Sequence, residues 1–167
     1  MNIEKETVQK ITIRDVAGID VIALYLEDQG VGRGKAIITC WENSWTAYWG
    51  GIGNRTIAEF IISCDNHYLA KNFSRIPIEI DDPDKLIEDM KKTIIEKRKG
   101  LELTADDARE YFDDVLSSNS DEIMSDHNLL FNVYGEEWWY NIPKKSNPDY
   151  VYLCKILTTI KEALSKG

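Results

Sequence analysis

The sequence predicts an α+β protein: a small antiparallel β-meander in the N-terminal half packed against helices from the C-terminal half. Two observations predict it. Up to about residue 50, the apolar residues come in short β-branched or aromatic runs punctuated by Gly, Asp and Asn, as consecutive hairpins require. Beyond that point, apolar residues recur at helical spacing behind Thr, Asp and Asn caps. The 167 residues are read as a single domain, with a β-rich part over 1–80 that also carries short helices, and a helical acidic part over 81–167.

The first strand is expected over Val8 to Arg14, where Gln9, Ile11 and Ile13 alternate with Val8, Lys10, Thr12 and Arg14. Asp20 to Asp28 is a second, rich in Val, Ile, Leu and Tyr, and Gln29 to Gly34 is a flexible hairpin loop. Lys35 to Trp41 and Trp45 to Trp49 complete the meander. Thr56 and Glu59 have capping-box spacing, so a helix to about Cys64 follows and buries Ile57, Phe60, Ile61 and Cys64. Asp65 or Asn66 caps a second short helix through Phe73. Pro77 ends this region, and residues 76–80 are a candidate strand. Asp82 followed by Pro83 starts a helix to about Lys99, with Gly100 as its stop. Thr104 to Asp107 caps a helix to about Ser117, with Ala108, Tyr111, Phe112 and Val115 on its apolar face. A polar loop over residues 117–121 precedes one short element near Ile123 to Tyr134. Asn147 followed by Pro148 starts a final helix through Leu164.

Hydrophobic content of 43% and charged content of 29% place the chain among ordinary globular proteins. No run of about 18 apolar residues suggests a membrane span, and the first ten residues lack the apolar core of a signal peptide. Cys40, Cys64 and Cys154 form no framework and read as free thiols in a reducing cytosol. The net charge of −9 argues against a generic binder of phosphate backbones, so no direct nucleic-acid binding is expected. The charge is uneven: residues 101–137 hold 11 acidic side chains and one base, Arg109.

The segment from Trp41 to Phe73 concentrates unusual chemistry. Cys64 and His67 invite a thiolate nucleophile or half a zinc site. Against both, Cys64 falls at a helix C-terminus, where the helix dipole disfavours a thiolate. A zinc site would also need ligands from His127, Cys40 or Cys154, all far away in sequence. A buried, inert Cys64 is the simpler reading, and no metal and no cofactor is expected. The loop from Gly50 to Arg55, with Gly51 and Gly53, joins a strand to a helix start and can hold an anion, with Arg55 adding charge. It lacks the full dinucleotide and phosphate-loop patterns, and a tight turn explains the glycines equally. Trp45 and Trp49 point to one face of their strand and Tyr48 to the other, so one set belongs to the core while the other is free to bind.

The helix over 104–117 gives the sharpest physical hypothesis. Asp106, Glu110 and Asp113 run along one face, with Asp107 and Asp114 beside them. Residues four apart rise about 6 Å on a helix. Phosphates along one DNA strand are spaced on a similar scale, about 3.4 Å of axial rise each. A rigid row of carboxylates therefore resembles a nucleic-acid backbone to a protein that grips phosphates with Lys and Arg. Trp138 and Trp139 are candidate apolar anchors beside that charge. Paired-carboxylate hydrolysis fits poorly, because a general acid needs burial to raise its pKa.

The block from Trp41 to Phe60, followed by Cys64 to Phe73, resembles one in small accessory proteins of tailed phages and prophages of enteric bacteria, over about residues 8–75. That family has no assigned reaction, so the resemblance supplies no catalytic residues. It implies a phage accessory protein acting in the bacterial host cytoplasm, where such genes often encode inhibitors of host enzymes or of antiviral defences. The leading expectation is a non-enzymatic protein that binds and inhibits a host nucleic-acid-handling or defence complex with a basic surface, an anti-CRISPR being one concrete form. The alternative is a small-molecule or nucleotide binder, or an enzyme, built on Trp45, Tyr48, Trp49, Gly51, Gly53, Arg55, Cys64 and His67. The oligomeric state is left open.

Overall fold

A computed structural model describes residues 1–3, 5 and 7–166. Strands β1 (Gln9–Ile13), β2 (Ile22–Asp28), β3 (Gly34–Cys40) and β4 (Asn43–Trp49) form one antiparallel sheet in the order β1-β2-β3-β4. Period-two patterning puts one set of side chains on its inner face: Ile22, Leu24 and Leu26, then Ala36, Ile38 and Cys40, then Ala47 and Trp49 are buried. The register stacks Leu24 opposite Ile38 and Ile38 opposite Trp45. Helices α1 (Ile57–Ser63), α2 (Asn66–Phe73) and α7 (Pro148–Lys166) contribute Ile57, Phe60, Ile61, Leu69, Phe73, Leu153, Ile156, Leu157 and Ile160 to the same core. Trp49 sits edge-on between the rings of Phe60 and Phe73, each 5.5 Å away.

The chain divides into two compact units: Met1–Ile78 with Asn147–Gly167, and Glu79–Ser146. The second unit has its own hydrophobic core. Its elements are β5 (Glu79–Asp81), α3 (Pro83–Lys99), α4 (Ala105–Ser117), α5 (Ser120–Ser125), α6 (His127–Tyr134), a 3₁₀ turn (Trp138–Asn141) and β6 (Lys144–Ser146). Leu86, Met90 and Ile94 form the buried stripe of α3, packed with Ala108, Val115, Ile123, Leu129, Leu130 and Val133. Thus α7 covers the sheet, whereas α3 to α6 enclose a core of their own.

Local capping explains most helix starts. Thr56 and Glu59 form a reciprocal capping box, and Asp65 accepts from the Tyr68 N–H to start α2. Asp82 with Pro83 starts α3, and Thr104 caps α4. Three expectations need correction. Residues 117–121 are not one loop, because Asn119 and Glu122 form a second capping box and α5 begins at Ser120. The single element near Ile123 to Tyr134 is two helices, because Asp126 ends α5 and caps α6. The strand sought at 76–80 lies at Glu79–Asp81, where β6 supplies its partner; β6 itself carries no sequence signal beyond three polar residues.

The glycine-rich loops brace each other. Ile52 N–H donates to the Gly32 carbonyl at 2.8 Å, and a Cβ on Gly32 would lie 2.2 Å from the Gly53 oxygen. Gly32 and Gly53 also hold positive φ, at 72° and 71°, so both are required by geometry. At the other end of unit 1, the buried side chain of Asn147 donates to the Pro77 carbonyl and accepts from Asp149 N–H, while its own N–H donates to Ile78. It caps α7 and clasps the two chain segments from which Glu79–Ser146 departs.

Candidate functional site

α4 forms because Thr104 satisfies the Asp107 N–H while Ala108 and Val115 seek the unit 2 core, with Tyr111 and Phe112 half-buried beside them. This pins the opposite face outward. Asp106, Glu110, Asp113 and Asp114 are all exposed. At 3.6 residues per turn they fall within about 100° of arc. Asp107 is half-buried, and its carboxylate accepts from the Thr104 hydroxyl at 2.6 Å, so it belongs to the cap as well as to the face. Among the described residues, none of the five is in an ion pair. Burial, followed by the charges of Asp107 and Glu110, pushes the Tyr111 phenol up from its ordinary value.

The aromatic run is divided. Trp138 is half-buried against the unit 2 core and stacks near His127, with centroids 5.0 Å apart. Trp139 is 51% exposed and Tyr140 77% exposed. No hydrogen bond or ring contact joins this run to the α4 carboxylates among the described residues. Tyr140 and the half-exposed Phe131 of α6 are not among the partner-binding residues expected from the sequence. The only signal for Tyr140 was its place beside two tryptophans.

In unit 1 the structure separates the residues of the alternative site. Trp49 is buried and Trp45 half-buried on the core face, whereas Tyr48 is exposed on the other face of β4. Trp41 projects from the β3–β4 turn. The donors at the start of α1 are engaged within the protein: Ile57 N–H donates to Asp28 Oδ1 at 2.7 Å, and Thr56 N–H donates to Glu59 Oε2 at 2.8 Å. Arg55 turns back onto α1, donating to the Ile52 carbonyl and the Ser63 hydroxyl, with its guanidinium over the Phe60 ring. Gly51 is exposed, and Gly53 serves the turn.

Cys64 is half-buried, not buried as expected, because α1 ends at Ser63 and Cys64 is extended at the junction. Burial still pushes its thiol up, so the neutral form is favoured and the nucleophile is disfavoured. Its carbonyl accepts from Lys161 at 2.6 Å. His67 bonds elsewhere, to the Tyr150 hydroxyl, through Nδ1 at 2.9 Å. Among the described residues no group of three or more His, Cys, Asp or Glu side chains is placed to hold a metal. No helix among them is long and apolar enough to cross a membrane.

An α+β protein made of a sheet-and-helix unit and an acidic helical unit, the second lying between two segments of the first in sequence, is what the fold defines. The chain belongs to a phage family, whose model matches residues 1–166. That match takes in the acidic helical half, beyond the segment that carries the sequence resemblance. No curated protein and no solved structure matches the chain.

Proposed function

We propose that this phage protein acts without catalysis. In this reading, its acidic unit docks on a basic surface of a host protein or ribonucleoprotein complex in the bacterial cytoplasm and inhibits it. The target class is a complex that handles nucleic acid or defends against phage, an anti-CRISPR action being one form. One observation supports the reading. Unit 1 has 11 acidic and 11 basic side chains, whereas unit 2 has 18 and 9, so the entire net charge of −9 falls on unit 2. Within that unit, α4 offers Asp106, Glu110, Asp113 and Asp114 at fixed helical spacing, with no ion pair to them among the described residues. Such a row meets Lys and Arg side chains that ordinarily grip phosphates, and charge complementarity speeds and orients docking. Trp139, beside Tyr140, supplies an exposed aromatic anchor, with Trp138 as its support.

The test captures partners from a bacterial lysate with the tagged protein, beside a variant carrying Asp106→Asn, Glu110→Gln, Asp113→Asn and Asp114→Asn. Asp107 stays, because it takes part in the α4 cap. A basic nucleic-acid-handling complex retained by the wild type, and lost by a variant of unchanged melting temperature, is the expected result. Equal retention by both proteins defeats the proposal.

A further inference from the structure

We propose a second binding site, in unit 1: a cleft beside α2 that takes a small phosphorylated organic anion of the nucleoside monophosphate class. The cleft has a volume of about 540 Å³ and is lined by His67, Lys71, Ser74, Arg75, Tyr150 and the segment Ile76–Ile78. Among the described residues, no carboxylate lines it. Unit 1 as a whole is formally neutral, so two cations and a histidine on one cavity without an acid is a local concentration of donors.

The backbone arranges them. His67 and Lys71 are four apart and share one flank of α2. Ser74 ends the helix in an extended conformation, which turns the chain so that Arg75 follows on the same cleft. Lys71 lies in the last turn, where a cation offsets the helix's carbonyl end. Arg75 and His67 come in addition to that need. Neither Lys71 nor Arg75 is in an ion pair among the described residues. The carboxylate closest in sequence, Asp65, is committed to the Tyr68 N–H, which holds it below the usual carboxylate range.

The polar groups are also oriented. The Tyr150 hydroxyl bonds Nδ1 of His67 and fixes the ring, leaving Nε2 as the imidazole atom free for a ligand. Burial pushes the Tyr150 phenol up, so it keeps its proton. Ser74 Oγ accepts from the Ile76 N–H at 3.0 Å and retains its own proton to donate. Opposite them, the wall from Ile76 to Ile78 is held by Asn147, which donates to the carbonyls of Pro77 and Ile78 at 2.9 Å each. Cationic and hydroxyl donors suit a phosphoryl group, and the tyrosine ring with the apolar wall suits a flat organic portion. A polyanion is disfavoured by the protein's net charge of −9, and the cleft's volume is that of a single small molecule.

The full-length protein is titrated by calorimetry with adenosine monophosphate, and separately with adenosine and with inorganic phosphate. The variant is Lys71→Gln with Arg75→Gln, both exposed positions whose change leaves the core intact. Saturable one-site binding of the nucleotide is expected, weakened about tenfold or more in the variant, a loss consistent with removing charge-assisted hydrogen bonds. The variant's melting temperature without ligand should equal that of the wild type. Absence of saturable binding up to about 10 mM overturns the proposal. So does undiminished binding by the variant, or binding of adenosine or phosphate as tight as that of the nucleotide.

Discussion

At the scale of single residues, one backbone angle and one carboxyl group have measurable consequences. Trp41 occupies the first position of the two-residue β3–β4 turn, since Cys40 pairs with Asn43, and it holds φ at 52°. Left-handed backbone costs an L side chain about 1–2 kcal/mol, and at 78% exposure Trp41 recovers little of this by burial. Trp41→Gly is therefore expected to raise stability by about 0.5–1 kcal/mol once the entropy of glycine is set against the strain, read as a higher urea midpoint. A lower midpoint would mean that the Trp41 ring packs more tightly than its exposure indicates. Glu59 shows a titration effect. Hydrogen bonds from the Thr56 N–H and hydroxyl hold its carboxyl below the ordinary value of 4.5. A depressed folded pKa gives stability that is present above the unfolded value and is lost as pH falls through the folded one. Glu59→Gln keeps the hydrogen-bonding geometry of the cap without titrating. Between about pH 5 and pH 3 the melting temperature should fall less steeply in this variant than in the wild type. The comparison isolates Glu59, because the two proteins share every other side chain. Parallel slopes would remove Glu59 from the acid response.

At the scale of elements, the helices are held at their ends by side chains within three residues of each start. The sheet is held by contacts across the whole first half. This difference separates what was legible from what was not. Thr56, Asp65, Thr104 and the Asp82–Pro83 and Asn147–Pro148 pairs announce their helices, because a cap and the N–H it accepts from lie within one turn. Asn119 has the same signal with Glu122, but its setting among Ser117, Ser118 and Ser120 resembles a loop. The acidic face was legible because α4's period can be read from Ala108 and Val115 on its inner side. The cleft beside α2 was not. His67 and Lys71 are neighbours in the sequence sense, but Tyr150 stands 83 positions from His67 and reaches it only when α7 packs on α2.

At the scale of the whole molecule, unit 2 is an insertion between α2 and α7 of the first unit. Its ends lie side by side, since Glu79 pairs with Ser146 across β5 and β6. Within unit 1, Asn147 already donates to Ile78 across the same gap, and that unit has its own core. Replacing residues 79–146 by a linker of about four residues should therefore leave a protein that unfolds cooperatively. A unit of this size carries a stability on the order of 5–15 kcal/mol. The shortened protein would have a formal net charge of zero and should retain no partner that the acidic unit recruits. Loss of cooperative unfolding would show that unit 1 depends on the inserted segment.

The chain's local signals establish the order and nature of nearly all its elements. They also establish that acidity gathers on one helix, because charge and period are both written along a single strand of sequence. Other features depend on residues far apart in the chain. The return of α7 to the sheet, the pairing of β6 with β5 and the meeting of Tyr150 with His67 were decided by tertiary packing. Each needs a partner whose position is set only when two apolar surfaces, remote in sequence, are buried against each other.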